Sequence, residues 1–155
     1  MKPTVKAIMT KDLMTIPAGS PVSKAWEIME ERKFRHLPVV NGNEQVIGIL
    51  SQRDLNFIKN PEVIPVEYIM SAPVMFVDQN TPLRSAIFRM LEGKISSLLI
   101  ANENQQAVGI VTTDDLLFYL AHLLDENKEQ RFSVSSLLDL QTIGEAARQI
   151  SNAGI

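Results

Sequence analysis

The sequence predicts an α/β protein of the α+β kind, made of one β-α-β-β-α unit written twice and followed by a helical tail. Two observations lead there. The chain aligns with itself without a gap at an offset of 61 residues, so that Val5–Phe57 repeats as Val66–Phe118 with 18 identities in 53 positions. Within each copy, short apolar runs with turn signals flank a stretch of helical spacing.

The elements follow in the same order in both copies. An extended run, Met14–Pro17 or Met75–Val77, leads to Ser20-Pro21 or Thr81-Pro82. Each of these pairs reads as an N-cap followed by proline at the first helical position. Val22, Ala25, Trp26 and Met29, matched by Leu83, Ala86, Ile87 and Met90, then recur at helical spacing. Two strands come next, His36–Val40 and Val46–Leu50, joined through Asn41-Gly42-Asn43-Glu44. Their counterparts are Ser97–Ala101 and Ala107–Val111, joined through Asn102-Glu103-Asn104. A closing helix is expected at Gln52–Lys59 and again at Thr113–Leu124. The repeats are therefore expected at 4–60 and 66–124, with a linker at 61–65 and a charged linker and helical tail over 125–155. A unit of this size buries too little surface to be stable alone, so two should share a core about a pseudo-two-fold axis, with two equivalent clefts between them.

In the tail, Thr142-Ile143-Gly144-Glu145 reads as a capping box ahead of an apolar stripe of Ile143, Ala146, Ala147 and Ile150. That helix is open to three readings: a remnant of a further unit, a docking or interchain element, or ordinary intrachain packing.

Composition narrows the function. Hydrophobic residues are 45% and charged residues 21% of the chain, an ordinary globular balance. The net charge of −3 shows no basic excess for gripping nucleic acid. Without cysteine there is no thiol chemistry, and with only His36 and His122 a histidine metal centre is not expected. No secretory signal or membrane span is visible, which makes the cytoplasm the default location.

The sharpest local pattern is Gly48-Ile49-Leu50-Ser51-Gln52-Arg53-Asp54-Leu55, matched by Gly109-Ile110-Val111-Thr112-Thr113-Asp114-Asp115-Leu116. A Ser/Thr three residues before an acid, ahead of a helix, has a purely structural reading as a capping box. The glycine inside a strand signals the close approach of a ligand or of other backbone. A carboxylate at a strand-to-helix junction is also suited to accept hydrogen bonds from both hydroxyls of a ribose. Arg35 and His36 are open to a reading as solvated strand-start residues, and Arg53 to one as an ion-pair partner of Asp54. Ser51, His36 and Asp54 do not make a nucleophile triad, because no elbow and no orienting third group accompany them.

With these residues stated, a resemblance becomes specific. Met9-Thr10, Arg35-His36-Leu37-Pro38-Val39-Val40 and the Gly48–Leu55 segment, with their second-copy partners, resemble CBS domains, and the pair resembles a Bateman module. The whole-chain layout is similar to small stand-alone bacterial proteins of the acetoin-utilisation AcuB-like type. The second copy departs from the family at Leu99, where proline is usual, and at Ser96-Ser97, which replace the basic pair.

The resemblance implies a non-enzymatic sensor that binds AMP, ADP, ATP or a similar adenosine compound in the clefts, without a resident cofactor. It also implies a homodimer and leaves room for an unidentified protein target. The preferred cleft is expected to use Thr112 and Asp115 for the ribose, Met75 and Ile95 for the base, and Arg35, His36 and Arg53 for the phosphates. The weaker cleft would use Ser51, Asp54, Met14, Phe34, Ser96 and Ser97. Two alternatives stand beside this reading: a ligand-free dimerisation module, and a regulatory subunit of an enzyme on another chain.

Overall fold

The computed structural model describes residues 2–126. Residues through Leu117 form one compact unit, and a second begins at Phe118. The first unit holds two three-stranded sheets. One is ordered β1 (Ile16–Pro17), β2 (His36–Val40), β3 (Val46–Ser51), and the other β4 (Phe76–Asp78), β5 (Ser97–Ala101), β6 (Ala107–Thr112). In each sheet the first pair is parallel and the second antiparallel. Helices α1 (Val22–Arg32) and α3 (Leu83–Gly93) bury Val22, Ala25 and Met29, and Leu83, Ala86 and Met90, as the helical spacing predicts. Helices α2 (Gln52–Leu55) and α4 (Thr113–Glu126) close the two repeats. The part of the second unit that is described is the continuation of α4.

The hairpins owe their shape to Asn41 and Asn102. The Asn41 side-chain carbonyl accepts the amides of Asn43 and Gln45, and Asn102 does the same for Asn104 and Gln106. The left-handed position falls on Glu44 and Gln105 rather than on Gly42. An asparagine that holds its own turn makes the glycine of the first hairpin dispensable.

The opening segment of each repeat packs on the other repeat. Val5 donates its amide to Thr81 O, and Val66 donates to Ser20 O. Thr10 bridges Ile110 on β6, while Ser71 bridges Ile49 on β3. Each of these contacts maps onto the other by the repeat offset, so the exchange is reciprocal. Val66 is accordingly part of the core formed by Ile16, Val22, Ala25, Met29, Leu37, Val39, Leu50 and Leu55.

This exchange corrects several sequence expectations. The helices begin at Val22 and Leu83, with Pro21 and Pro82 as N-caps and no side-chain cap bond from Ser20 or Thr81. Carbonyls from the exchanged segments cap them instead: Val22 N donates to Ile64 O, Ser23 N to Pro61 O, and Leu83 N to Pro3 O. The orphan amides of a helix start need acceptors, and here the backbone leading into the other repeat supplies them. The closing helix of the first repeat is a single turn, not the stretch to Lys59. Asn60 takes a left-handed conformation before Pro61, so the chain turns back to deliver the carbonyls that cap α1. Helix α4 is longer and continues to Glu126.

The first strands start later than expected, at Ile16 and Phe76. In the second sheet Leu99 donates to Met75 O and pairs with Phe76. Pro38, at the matching position, has no amide to give, and β1 is one residue shorter. The predicted tail helix around Thr142–Ile150 lies outside the described residues.

Candidate functional site

One cavity of about 500 Å³ opens where the two repeats meet. Its walls come from four places. The end of β3 and the start of α2 supply Ile49, Ser51, Arg53 and Asp54, and the segment exchanged from the second repeat supplies Ser71, Pro73, Val74 and Met75. The start of β5 supplies Ile95, Ser96 and Ser97, preceded by Lys94, and the start of β2 supplies Arg35 and His36.

Ser51 and Asp54 form the capping box that their spacing suggests. Asp54 Oδ2 accepts both the Ser51 amide at 3.0 Å and the Ser51 hydroxyl at 2.8 Å. Thr112 and Asp115 repeat this, with Asp115 Oδ2 accepting the Thr112 amide at 2.7 Å and hydroxyl at 2.8 Å. The structural reading is therefore realised, and it occupies one oxygen of each carboxylate. The other oxygen, Oδ1, remains able to accept from a ligand.

The strand glycines are also explained. A Cβ on Gly48 would collide with the Met70 side chain, and one on Gly109 would lie 2.7 Å from the Thr10 carbonyl oxygen. What approaches these glycines is the exchanged segment, not a ligand.

Arg35 and His36 are both engaged across the repeat boundary. The Arg35 guanidinium reaches both carboxylate oxygens of Asp114 at 2.5 Å. His36 Nε2 lies 2.8 Å from Ser96 Oγ. Burial, aided by the Arg35 cation, holds the His36 imidazole below its ordinary value against the opposing pull of Asp114 and Asp54. At neutral pH it is therefore a hydrogen-bonding group rather than a cation. Arg53 makes no ion pair with Asp54, and neither Arg53 nor Lys94 has a carboxylate partner among the described residues.

The structure groups the expected site residues differently from the sequence reading. Met75, Ile95, Arg35, His36 and Arg53 share their cavity with Ser51, Asp54, Ser96 and Ser97, whereas Thr112, Asp115, Met14 and Phe34 do not line it. The cause is the exchange: the segment carrying Met75 crosses over β3, next to the Ser51–Asp54 pair. The repeat offset maps Ser51, Asp54, Met75 and Ile95 onto Thr112, Asp115, Met14 and Phe34, which thus hold the equivalent positions in the opposite repeats. Both methionines keep part of their surface open, Met14 at 38% and Met75 at 41%. The sequence reading missed Lys94 and the Ser71–Val74 wall. Lys94, identical to Lys33 in the alignment, was visible as a repeated cation, whereas nothing local marks Ser71 as a neighbour of Ile49.

Comparison with known proteins agrees with this architecture. The CBS domain family matches residues 5–57 and 66–122. A homoserine O-acetyltransferase of Methanococcoides burtonii is 30% identical over 73% of the chain, which spans only 23% of that enzyme. The crystal structure of a putative acetoin utilization protein (AcuB) from Vibrio cholerae superposes with a TM-score of 0.72 at 27% identity, covering 84% of this chain and 99% of that one. The CBS domain pair of protein MJ0100, solved in complex with 5′-methylthioadenosine and S-adenosyl-L-methionine, gives a TM-score of 0.72 at 23% identity, covering 79% and 98%. The chain belongs to the CBS-domain family, of which it carries two consecutive copies.

Proposed function

We propose that this CBS pair is a non-catalytic regulatory module that binds an adenosine-containing nucleotide in the cavity between its repeats. One observation carries the reading: a single cavity combines a half-used carboxylate, an apolar wall and three cations. Asp54 Oδ1 accepts from the vicinal hydroxyls of a ribose, and the bond from Ser51 keeps the carboxylate in place. Ile49, Val74, Met75 and Ile95 offer the flat face of a purine an apolar bed, and Arg35, Arg53 and Lys94 face the phosphates. His36 bonds to Ser96 rather than to Ser51, so the groups present are those of recognition and not of nucleophile activation. The adenosine compounds bound by the MJ0100 pair support the choice of ligand class.

This reading moves the preferred ribose site from Thr112 and Asp115 to Ser51 and Asp54. The second cleft has Asp114 where the first has Arg53, and is the weaker one. Calorimetry with AMP, ADP, ATP, 5′-methylthioadenosine and S-adenosyl-L-methionine tests it. At least one should bind, and Asp54→Ala should weaken it roughly 10- to 100-fold while Asp115→Ala has a smaller effect. No binding by any of the five, or full loss with Asp115→Ala alone, would overturn the assignment. The homodimer belongs to the same proposal, and sedimentation equilibrium at tens of micromolar tests it. The match to part of the acetyltransferase favours one further reading, a regulatory element acting on an enzyme. A catalytic subunit that co-purifies in fixed stoichiometry would support that one.

A further inference from the structure

Beside the cavity the repeat reverses the sign of a charge. Position 53 is arginine, and its counterpart 114 is aspartate. Asp114 lies in the first turn of α4 and reaches across to the Arg35 guanidinium, which itself lines the cavity. Of the three cations at the cavity, one is therefore already held by a carboxylate. A phosphate that comes to Arg35 must share it with Asp114 or displace it.

Resting on the reading of the cavity as an adenosine site, we infer that Asp114 is a specificity-determining residue that selects ligands by charge. It disfavours polyphosphates relative to adenosine derivatives with one phosphate or none. The physical basis is that the Coulomb interaction of Asp114 with a bound ligand is proportional to the ligand's charge. Uncharged 5′-methylthioadenosine is insensitive to it. AMP, with about two negative charges, is repelled moderately, and ATP, with about four, roughly twice as much in energy. S-adenosyl-L-methionine, whose sulfonium is positive, is attracted. His36, neutral at physiological pH, adds no charge that would offset the effect.

The test is Asp114→Asn, which keeps the shape and removes the charge, titrated by calorimetry with each of the four compounds. The half-exposed position of the pair means the fold should tolerate the change, and thermal unfolding without ligand checks this. The expected result is no change for 5′-methylthioadenosine, about threefold tighter AMP, about tenfold tighter ATP and weaker S-adenosyl-L-methionine, with the differences shrinking as salt rises. Arg35→Gln should act oppositely, weakening ATP more than AMP and sparing 5′-methylthioadenosine. If Asp114→Asn shifts all ligands alike, or leaves the ratio of ATP to AMP affinity unchanged, the charge filter is wrong. If neither wild type nor variant binds any of the four, it is the cavity reading itself that falls.

Discussion

Val66 donates its amide to the carbonyl of Ser20 and is fully buried in the core of the first repeat, although by sequence it opens the second. Val5 stands in the same relation to Thr81. Each repeat is thus completed by the beginning of the other. The cavity takes part of its wall from this exchange, because Ser71, Pro73, Val74 and Met75 come shortly after Val66 in the chain.

Val66→Ala and Val5→Ala should each destabilise the protein by about 1.5–3 kcal/mol, the cost of removing two buried methyl groups and leaving a void. The two sites contribute to different sheets and should be additive within about 0.5 kcal/mol. Urea unfolding of the single and double variants checks both statements. A fragment spanning residues 11–71 should be more structured by circular dichroism than one spanning 4–60, since only the former carries the first repeat's own complement of core residues.

Gly109→Ala should cost more stability than Gly48→Ala. The new methyl at 109 meets a backbone carbonyl, which cannot move without disturbing the Thr10–Ile110 bridge. At 48 it meets the Met70 side chain, which can rearrange. Met70→Ala should rescue part of the loss in Gly48→Ala, and Met9→Ala should rescue little in Gly109→Ala. Equal midpoint shifts for the two glycine variants would contradict this.

His36 should make the protein less stable in mild acid. Its folded value lies below that of the unfolded chain, so the unfolded state binds more protons as pH falls. Stability is therefore fully present above about pH 6.5 and is lost as pH drops from there toward the folded value. The fall in melting temperature between pH 7.5 and 5 should be smaller in His36→Gln than in wild type. Parallel curves would show that the histidine titrates alike in both states.

The Arg35–Asp114 pair should contribute little to folding in spite of its geometry. Its side chains are 56% and 50% exposed, and an ion pair so accessible to water typically contributes about 0.2–1 kcal/mol. A double-mutant cycle with Arg35→Gln and Asp114→Asn measures the coupling, which should diminish at high salt. A coupling of several kcal/mol would assign the pair a role in the fold.

Much of the protein is legible in its sequence for local reasons. The repeat, the helical stripes of Val22–Met29 and Leu83–Met90, the hairpins and the capping boxes all rest on contacts a few residues apart, and period and turn chemistry report these directly. The residues of the cavity were legible by type too, since a carboxylate behind a hydroxyl or a cation at a strand start is visible wherever it lies. How those residues are grouped was not. The sequence alone determined that there are two equal units with matching chemistry at their strand-to-helix junctions. Only the tertiary structure decided that Asp54, not Asp115, shares a cavity with Met75, that backbone carbonyls leading into the other repeat cap α1 and α3, and that Arg35 is held by Asp114. The reason is physical. Two copies of one unit can close their cores with their own leading segments or with each other's, and the local pattern is the same in both cases. The choice rests on contacts dozens of residues apart in the chain, such as Val66 with Ser20 and Gly109 with Thr10.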